Sequence, residues 1–390
     1  MNVDAIGAVF VAVFLAVFLL GHRKKIEVQK VLFPLLYVVL YRDSFGLKSM
    51  DGLAKRFPRV LKFVGDVGVV LGFIGMVLIA IQLVWSTVQL FVHPGEVAAI
   101  QPVLPIQAKG VFFVPFLYWI ISVFSLAAVH EFAHGVLARV HNIRVKNSGF
   151  AFLCAFIPII PAAFVEPDES VLKKKSARQQ LAVFAAGPFS NLIFAGVMIL
   201  IFMVFAPVLS SAFHVTGVEL AHVENDSVGF AAGLREGMVV TAINGSAVDS
   251  VEVIGAFLNK TVPGDSVVLD TQNGSFSVVL GENPKNVSRS YLGVQVRAHA
   301  EENPAFVARY GEIVPELLRW FAGLFFWLFM LNVGIGLFNL LPIGPLDGGR
   351  MFQLVCLKLF KKEAAMRVWS LVTVFFVVLI LGNLIFGFVH

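Results

Sequence analysis

Apolar residues gather in this chain into six stretches of a length that crosses a bilayer: residues 5–20, 63–92, 111–129, 181–209, 320–346 and 368–389. A hydrocarbon core takes about 20 apolar residues in helical form, so each stretch predicts a spanning helix. The first is the shortest, and the seven residues before its core, MNVDAIG, carry Asp4 and no Lys or Arg. A secretory signal opens with a basic segment, so this stretch reads as a retained span. Two other apolar segments do not read as spans. Residues 31–41 (VLFPLLYVVLY) are short and contain Pro34, which predicts a segment lying at the cytoplasmic interface or re-entering the membrane. Residues 147–167 contain Pro158, Pro161 and Pro167, which exclude a continuous helix. Non-helical backbone at membrane depth survives where protein or trapped water satisfies it, so this segment is expected to line a cavity. Between the fourth and fifth stretches the pattern changes. Residues 213–298 alternate short β-branched runs with Gly, Asn, Asp and Ser, the mark of strands and tight turns in a small soluble domain. The expected architecture is mainly α, a polytopic membrane helix bundle of about six spans with an inserted small β-rich domain.

Composition agrees: 58% of residues are hydrophobic and 14% charged, against about 25% charged in soluble domains. The net charge of +5 does not argue for a nucleic-acid partner, because membrane orientation accounts for the basic residues. Lys and Arg number ten in 21–62, seven in 138–180 and five in 342–367, against one in 93–110. With six crossings the three rich segments share one side, the cytoplasm, and both termini and 209–313 lie outside. That outer segment holds six basic and twelve acidic residues, and all five Asn-x-Ser/Thr sequons, at Asn225, Asn244, Asn259, Asn273 and Asn286. The basic 42–62 loop reads as a topogenic anchor. Cys154 and Cys356 sit in or beside apolar sequence, so neither a disulfide framework nor a four-cysteine metal site is available, and both read as packing residues.

The third span ends in Val129-His130-Glu131-Phe132-Ala133-His134. Positions i and i+4 share a helix face, so His130 and His134 offer imidazole nitrogens to one Zn²⁺, with Glu131 beside its open position. In that device the metal polarises a carbonyl and acidifies water while the carboxylate takes the proton. Ionisable groups inside a span cost several kcal/mol and mark function more often than structure. Zinc needs a third ligand, and the candidates are Glu166, Asp168 and Asp347. His130 lies nineteen residues after Val111 and Asp347 twenty-seven after Trp320. At about 1.5 Å per residue, both fall past the midplane of spans that run the same way, which favours Asp347. Around it, Asn339-Leu-Leu-Pro-Ile-Gly-Pro-Leu-Asp-Gly-Gly-Arg350 breaks the helix and frees Asp347 to face a partner.

These elements together resemble the site-2 proteases, intramembrane zinc metalloproteases that cut substrate transmembrane segments. The resemblance rests on His130 to His134, on Ala186-Gly-Pro-Phe-Ser-Asn191, on Phe164-Val-Glu-Pro167 and on Asn339 to Arg350, and covers about residues 111–352. It implies one Zn²⁺ held by His130, His134 and Asp347, with Glu131 as general base and Asn191 holding substrate backbone or the developing oxyanion. Within 213–298, Ser227 to Val248, Val262-Pro-Gly-Asp265 and Tyr291-Leu-Gly-Val294 resemble a PDZ domain. A helix closed by Gly233, a strand holding Val239 and Ile243 and a turn at Asn244-Gly245 fit that likeness, which implies binding of extended peptide ends.

The expected division is 1–110 for N-terminal spans and the basic cytoplasmic loop, and 111–209 for the first part of the catalytic membrane core. The PDZ-like extracytoplasmic domain takes 213–298, the second part of the core 312–352 and the C-terminal span 353–390. The active site falls in the cytoplasmic half of the bilayer. Expected partners are transmembrane protein substrates, a peptide ligand of the PDZ-like domain and the lipid bilayer, without nucleic acid. The 147–167 segment is expected to pair with unwound substrate, and the outer domain to act as a size filter. Rival readings are a transporter or channel with buried polar residues, and a zinc protease acting on lipidated proteins with a glutamate as third ligand.

Overall fold

Chain segments that are apolar on all sides become helices that face lipid, and the computed structural model shows where each begins and ends. It describes residues 3–32, 36–92, 98, 100–155, 157–284 and 286–389. Two units emerge, Met1–Phe202 with Gly323–His390, and Met203–Ala322.

The first unit opens with α1 (Val3–Gly21) and strands β1 (Ile26–Leu32) and β2 (Leu36–Asp43). There follow α2 (Leu47–Arg56), α3 (Pro58–Val92), α4 (Phe116–Val140), β3 (Val145–Ala155), β4 (Ile157–Pro167) and α5 (Ala177–Ala212). Helices α6 (Ile313–Phe338), α7 (Asp347–Leu359) and α8 (Lys362–Val389) complete the chain. Among the described residues, five helices are long and apolar enough to cross a membrane: α3, α4, α5, α6 and α8. The expected count was six. Helix α1 is not among these five, the described apolar stretch being Ile6–Gly21.

Small residues let these helices close. Gly65, Gly68, Gly72 and Gly75 are buried along one face of α3, at spacings of three and four residues. They meet Leu137 of α4, Phe189 and Ala185 of α5, and Leu340 and Met351 from the chain that carries Asp347. In lipid, where apolar burial adds little, such close backbone approach is what holds helices together. It also brings the three segments that bear the motifs to one place.

Strands β1 to β4 form an antiparallel sheet in chain order. Tyr41 pairs with Ile26 on one side and with Phe150 on the other, and Phe150 pairs in turn with Ala163. The described residues of the 31–41 segment belong to this sheet; Pro34 lies outside the described residues. The 147–167 segment forms two strands and lines cavities, as its prolines predict.

The second unit contains β5 (Phe213–Val223), β6 (Val239–Ile243), β7 (Ser266–Thr271), β8 (Gly274–Val279) and β9 (Val294–Glu302). Their order across the sheet is β8-β7-β6-β5-β9, which leaves β9 at an edge. Val218, Leu220, Leu234 and Val240 form its core with the Val251–Leu258 helix. Each fully buried leucine contributes about 1.5–3 kcal/mol. Asn244 and Gly245 take φ of 49° and 77°, the left-handed pair that a two-residue hairpin turn demands.

Candidate active site

Helix α4 presents His130 and His134 on one face, their ring centroids 4.7 Å apart. The chain leaves α6 at Phe338, turns through the Pro and Gly residues, and re-enters a helix at Asp347, the first residue of α7. Gly348 is pressed so closely on the Leu340 carbonyl that a side chain there has no room, and its N–H donates to the Asn339 carbonyl at 2.8 Å. That tight turn fixes where the Asp347 carboxylate points. Its Oδ2 lies 3.0 Å from His130 Nε2 and 3.2 Å from His134 Nε2. The two Nε2 atoms are 3.1 Å apart. All three side chains are largely buried, at 12% and 14% exposure.

Backbone and side-chain partners hold this cluster. His134 Nδ1 is 2.7 Å from the Val183 carbonyl, so it carries the proton and leaves Nε2 with a free lone pair. Asn191 is fully buried, and its side-chain amide sits 3.3 Å from His130 Nδ1. Its Oδ1 has no partner among the described residues. Turning the amide over gives His130 Nδ1–H an acceptor and leaves its Nε2 free as well. Glu131 Oε2 accepts a hydrogen bond of 3.0 Å from the Val165 N–H on β4.

A cavity of 430 Å³ opens onto the cluster, lined by His130, Glu131, His134, Asp347, Asn339 and Arg350 among others. Asn191 is not among the lining residues. Glu131 and Val165 also line a second, apolar cavity of 580 Å³ with Phe132, Phe150 and Phe164. The competing ligands are committed elsewhere. Glu166 Oε2 accepts from Arg42 at 3.1 Å and from Asn147 at 2.9 Å. Asp168 caps the short Glu169–Leu172 helix, and the Ser170 hydroxyl and N–H, with Lys146 nearby, hold its carboxyl below the usual carboxylate range. Two contributors escape the sequence reading, the Val183 carbonyl and the Val165 N–H, while Asn339, Arg350 and Gly187 stood within its motifs without an assigned role. A Cβ built on Gly187 would lie within 2.5 Å of Nε2 of both histidines. Helix α5 therefore passes so close that the absent side chain leaves the space between the ligands open.

The comparisons with known proteins bear on this cluster directly. The sequence model of peptidase family M50 matches residues 118–382. The chain belongs to peptidase family M50. It is 28% identical over 333 residues to an uncharacterized protein of Methanocaldococcus jannaschii, MJ0971, covering 80% of this chain and 81% of the relative. It is 25% identical over 199 residues to a membrane-bound transcription factor site-2 protease homolog of Arabidopsis thaliana, covering 50% of this chain and 37% of that protein. Two PDZ domains of SdrC-like proteins, from Listeria monocytogenes and Listeria innocua, are similar to a part of the chain. They show 22% and 24% identity, each at TM-score 0.19 and 21% coverage of this chain, with 87% and 96% of the respective Listeria chains covered.

An M50 peptidase implies a divalent metal, and the donors of this member fit one. Three ligands at three corners of a zinc tetrahedron, with bonds of about 2.0–2.1 Å, stand about 3.3 Å apart. The observed separations of 3.0, 3.1 and 3.2 Å match that triangle. Two neutral imidazoles whose lone pairs face each other at such a distance repel, and a cation between them removes the conflict. His130, His134 and Asp347 thus make a site for a single ion in this membrane-embedded peptidase.

Proposed function

We propose that this M50 peptidase hydrolyses peptide bonds within or near the transmembrane segments of membrane proteins, with zinc held by His130, His134 and Asp347. The observation that carries the proposal is the convergence of those three ligand atoms beside Glu131, with both histidines on a helix apolar enough to span a bilayer. Zinc bound there supplies a Lewis acid that polarises the scissile carbonyl and acidifies water. Glu131, one residue from a ligand and facing the 430 Å³ cavity, takes the water proton and passes it to the leaving amine. Asn191 acts as a positioning residue that orients His130, a role its burial and its 3.3 Å approach to Nδ1 favour over contact with substrate.

A helical substrate hides its carbonyls in hydrogen bonds, so it unwinds before attack. Strand β4, at the edge of its sheet, offers backbone groups to the unwound segment. The apolar cavity shared by Glu131 and Val165 takes a hydrophobic side chain next to the scissile bond.

The charge asymmetry supports a cytoplasmic side for the 21–62, 138–180 and 342–367 segments, with α1 as a sixth crossing. Both termini and the PDZ-like 213–298 domain then lie outside, with the catalytic residues in the cytoplasmic half of the bilayer. The division into 1–110, 111–209, 213–298, 312–352 and 353–390 follows the same scheme. Within the PDZ-like domain, a cavity of 290 Å³ between the Val251–Leu258 helix and edge strand β9 is lined by Ile254, Leu258, Val294 and Val296, with Arg289 and Tyr291. It suits an extended peptide end added to the sheet edge, the charge of Arg289 matching a carboxylate.

The deciding experiment compares the purified native protein with Glu131→Gln in detergent, measuring bound zinc and cleavage of a single-span reporter. One zinc per chain in both, with cutting lost in the variant, is expected. Undiminished cutting by Glu131→Gln would overturn the mechanism.

A further inference from the structure

A second polar cavity, of 540 Å³, lies apart from the metal cluster. It forms where α2 meets the start of α3 and where α4 ends, and its lining includes Lys55, Lys62, Arg139, Asn142, Arg144 and Asp51. Four cations thus face one carboxylate. That carboxylate is taken, since Asp51 Oδ1 pairs with Arg139 at 3.1 Å. Lys55, Lys62 and Arg144 pair with no carboxylate among the described residues, although all three are exposed. Arg144 follows the turn that closes α4, where Asn142 takes a left-handed φ of 56° and the Ile143 N–H folds back on the Ala138 carbonyl at 2.9 Å.

The positive field of this corner is felt next door. His141 is buried with neither ring nitrogen partnered among the described residues, and burial, then the charge of Lys62, push its imidazole below the usual range. Topogenic charges need only lie near a span's end; nothing in that role requires them to converge on a cavity, where mutual repulsion costs energy. An anion inside the cavity reverses the sign of that cost.

The surroundings say what kind of anion. Pro58 opens a 35-residue apolar helix and Val140 closes a span, so the cavity sits at the level where both leave the hydrocarbon. On the first turns of α3, next to Lys62, Val60 and Phe63 are 58% and 69% exposed. A charged head in the cavity and acyl chains along those side chains satisfy both surfaces at once. From this geometry we infer that the cavity is a binding site for the phosphate headgroup of an anionic phospholipid. Two ammonium groups, a guanidinium and an amide N–H₂ supply donors to the phosphate oxygens, in the manner of basic pockets between spanning helices.

Purified full-length protein in a neutral detergent is titrated with phosphatidylglycerol, phosphatidylcholine or inorganic phosphate, and bound lipid is counted by native mass spectrometry. The wild type is expected to retain phosphatidylglycerol preferentially. Lys62→Ala combined with Arg144→Ala removes two charges near a membrane surface, for an expected loss of about 30-fold in half-saturating concentration. Lys361→Ala combined with Lys362→Ala, two charges at another basic segment, is expected to change nothing. Lys55→Glu provides a second variant that reverses one exposed charge without touching packing. Equal losses in the two double variants would overturn the site in favour of diffuse attraction. Displacement of the lipid by inorganic phosphate at equal concentration would overturn the lipid assignment.

Discussion

Replacing Gly187 by alanine tests whether the ligand cluster is what the geometry says. The added methyl would stand within 2.5 Å of Nε2 of both His130 and His134, where ordinary contact needs about 3.5 Å. An overlap of about 1 Å on two rings at once cannot be relieved by one side-chain rotation, because the Val183 carbonyl holds His134 and the Asn191 amide holds His130. The methyl presses on the two Nε2 atoms that an ion would need as ligands. Overpacking of this kind costs about 1–3 kcal/mol, which translates into about 5- to 150-fold weaker metal binding. The assay is zinc competition against a chelator of known affinity on the purified protein, with thermal unfolding of the metal-free form measured in parallel. Gly196→Ala on the same helix, with nothing within 4 Å of the new Cβ, is the control and should leave affinity unchanged. Gly187→Ala binding one zinc per chain at wild-type affinity would refute the cluster as the metal site.

The remaining predictions separate the roles around it. Asp347→Asn should abolish zinc retention on dialysis while Glu166→Gln keeps it, since Glu166 is occupied by Arg42 and Asn147; the opposite pattern would restore the glutamate-ligand reading. Asn191→Ala should weaken zinc by about 10–100-fold, the usual cost of losing an outer partner of a ligand histidine, and Asn191→Asp should recover part of it. Val165→Pro removes the N–H that holds Glu131, at an edge position where proline spares the ladder. It should lower turnover of the reporter about tenfold at unchanged zinc content, measured as kcat against KM.

How much of this was legible beforehand depends on whether a feature writes itself into side-chain chemistry. The spans of α3 to α6 and α8 did, because lipid demands long apolar runs. So did the histidine pair, whose spacing is a helix periodicity, and the motif around Asp347. The sheet was half legible. Prolines in 147–167 announced irregular backbone, but nothing local announced that 31–41 would join it, because Tyr41 pairs with Phe150 more than a hundred residues away. An apolar run of that length suits a buried strand as well as a short helix, and periodicity alone does not choose. The Val183 carbonyl and the Val165 N–H were invisible in principle, since every residue carries such groups and the fold selects among them.

Glu131 shows why those backbone groups matter. Its carboxylate stands at the junction of two cavities, one polar and facing the ligands, one apolar and lined by phenylalanines. The N–H that holds it belongs to an edge strand, whose unpaired groups invite another chain. In the proposed mechanism, a substrate segment that adds to β4 near Val165 competes for the same N–H and so loosens the carboxylate as it arrives. Backbone pairing and release of the base then become one event, which favours proton transfer when an unwound peptide is in place. Val165→Pro takes the N–H from both the carboxylate and an added strand, so with this coupling the variant loses turnover; without it, kinetics stay unchanged.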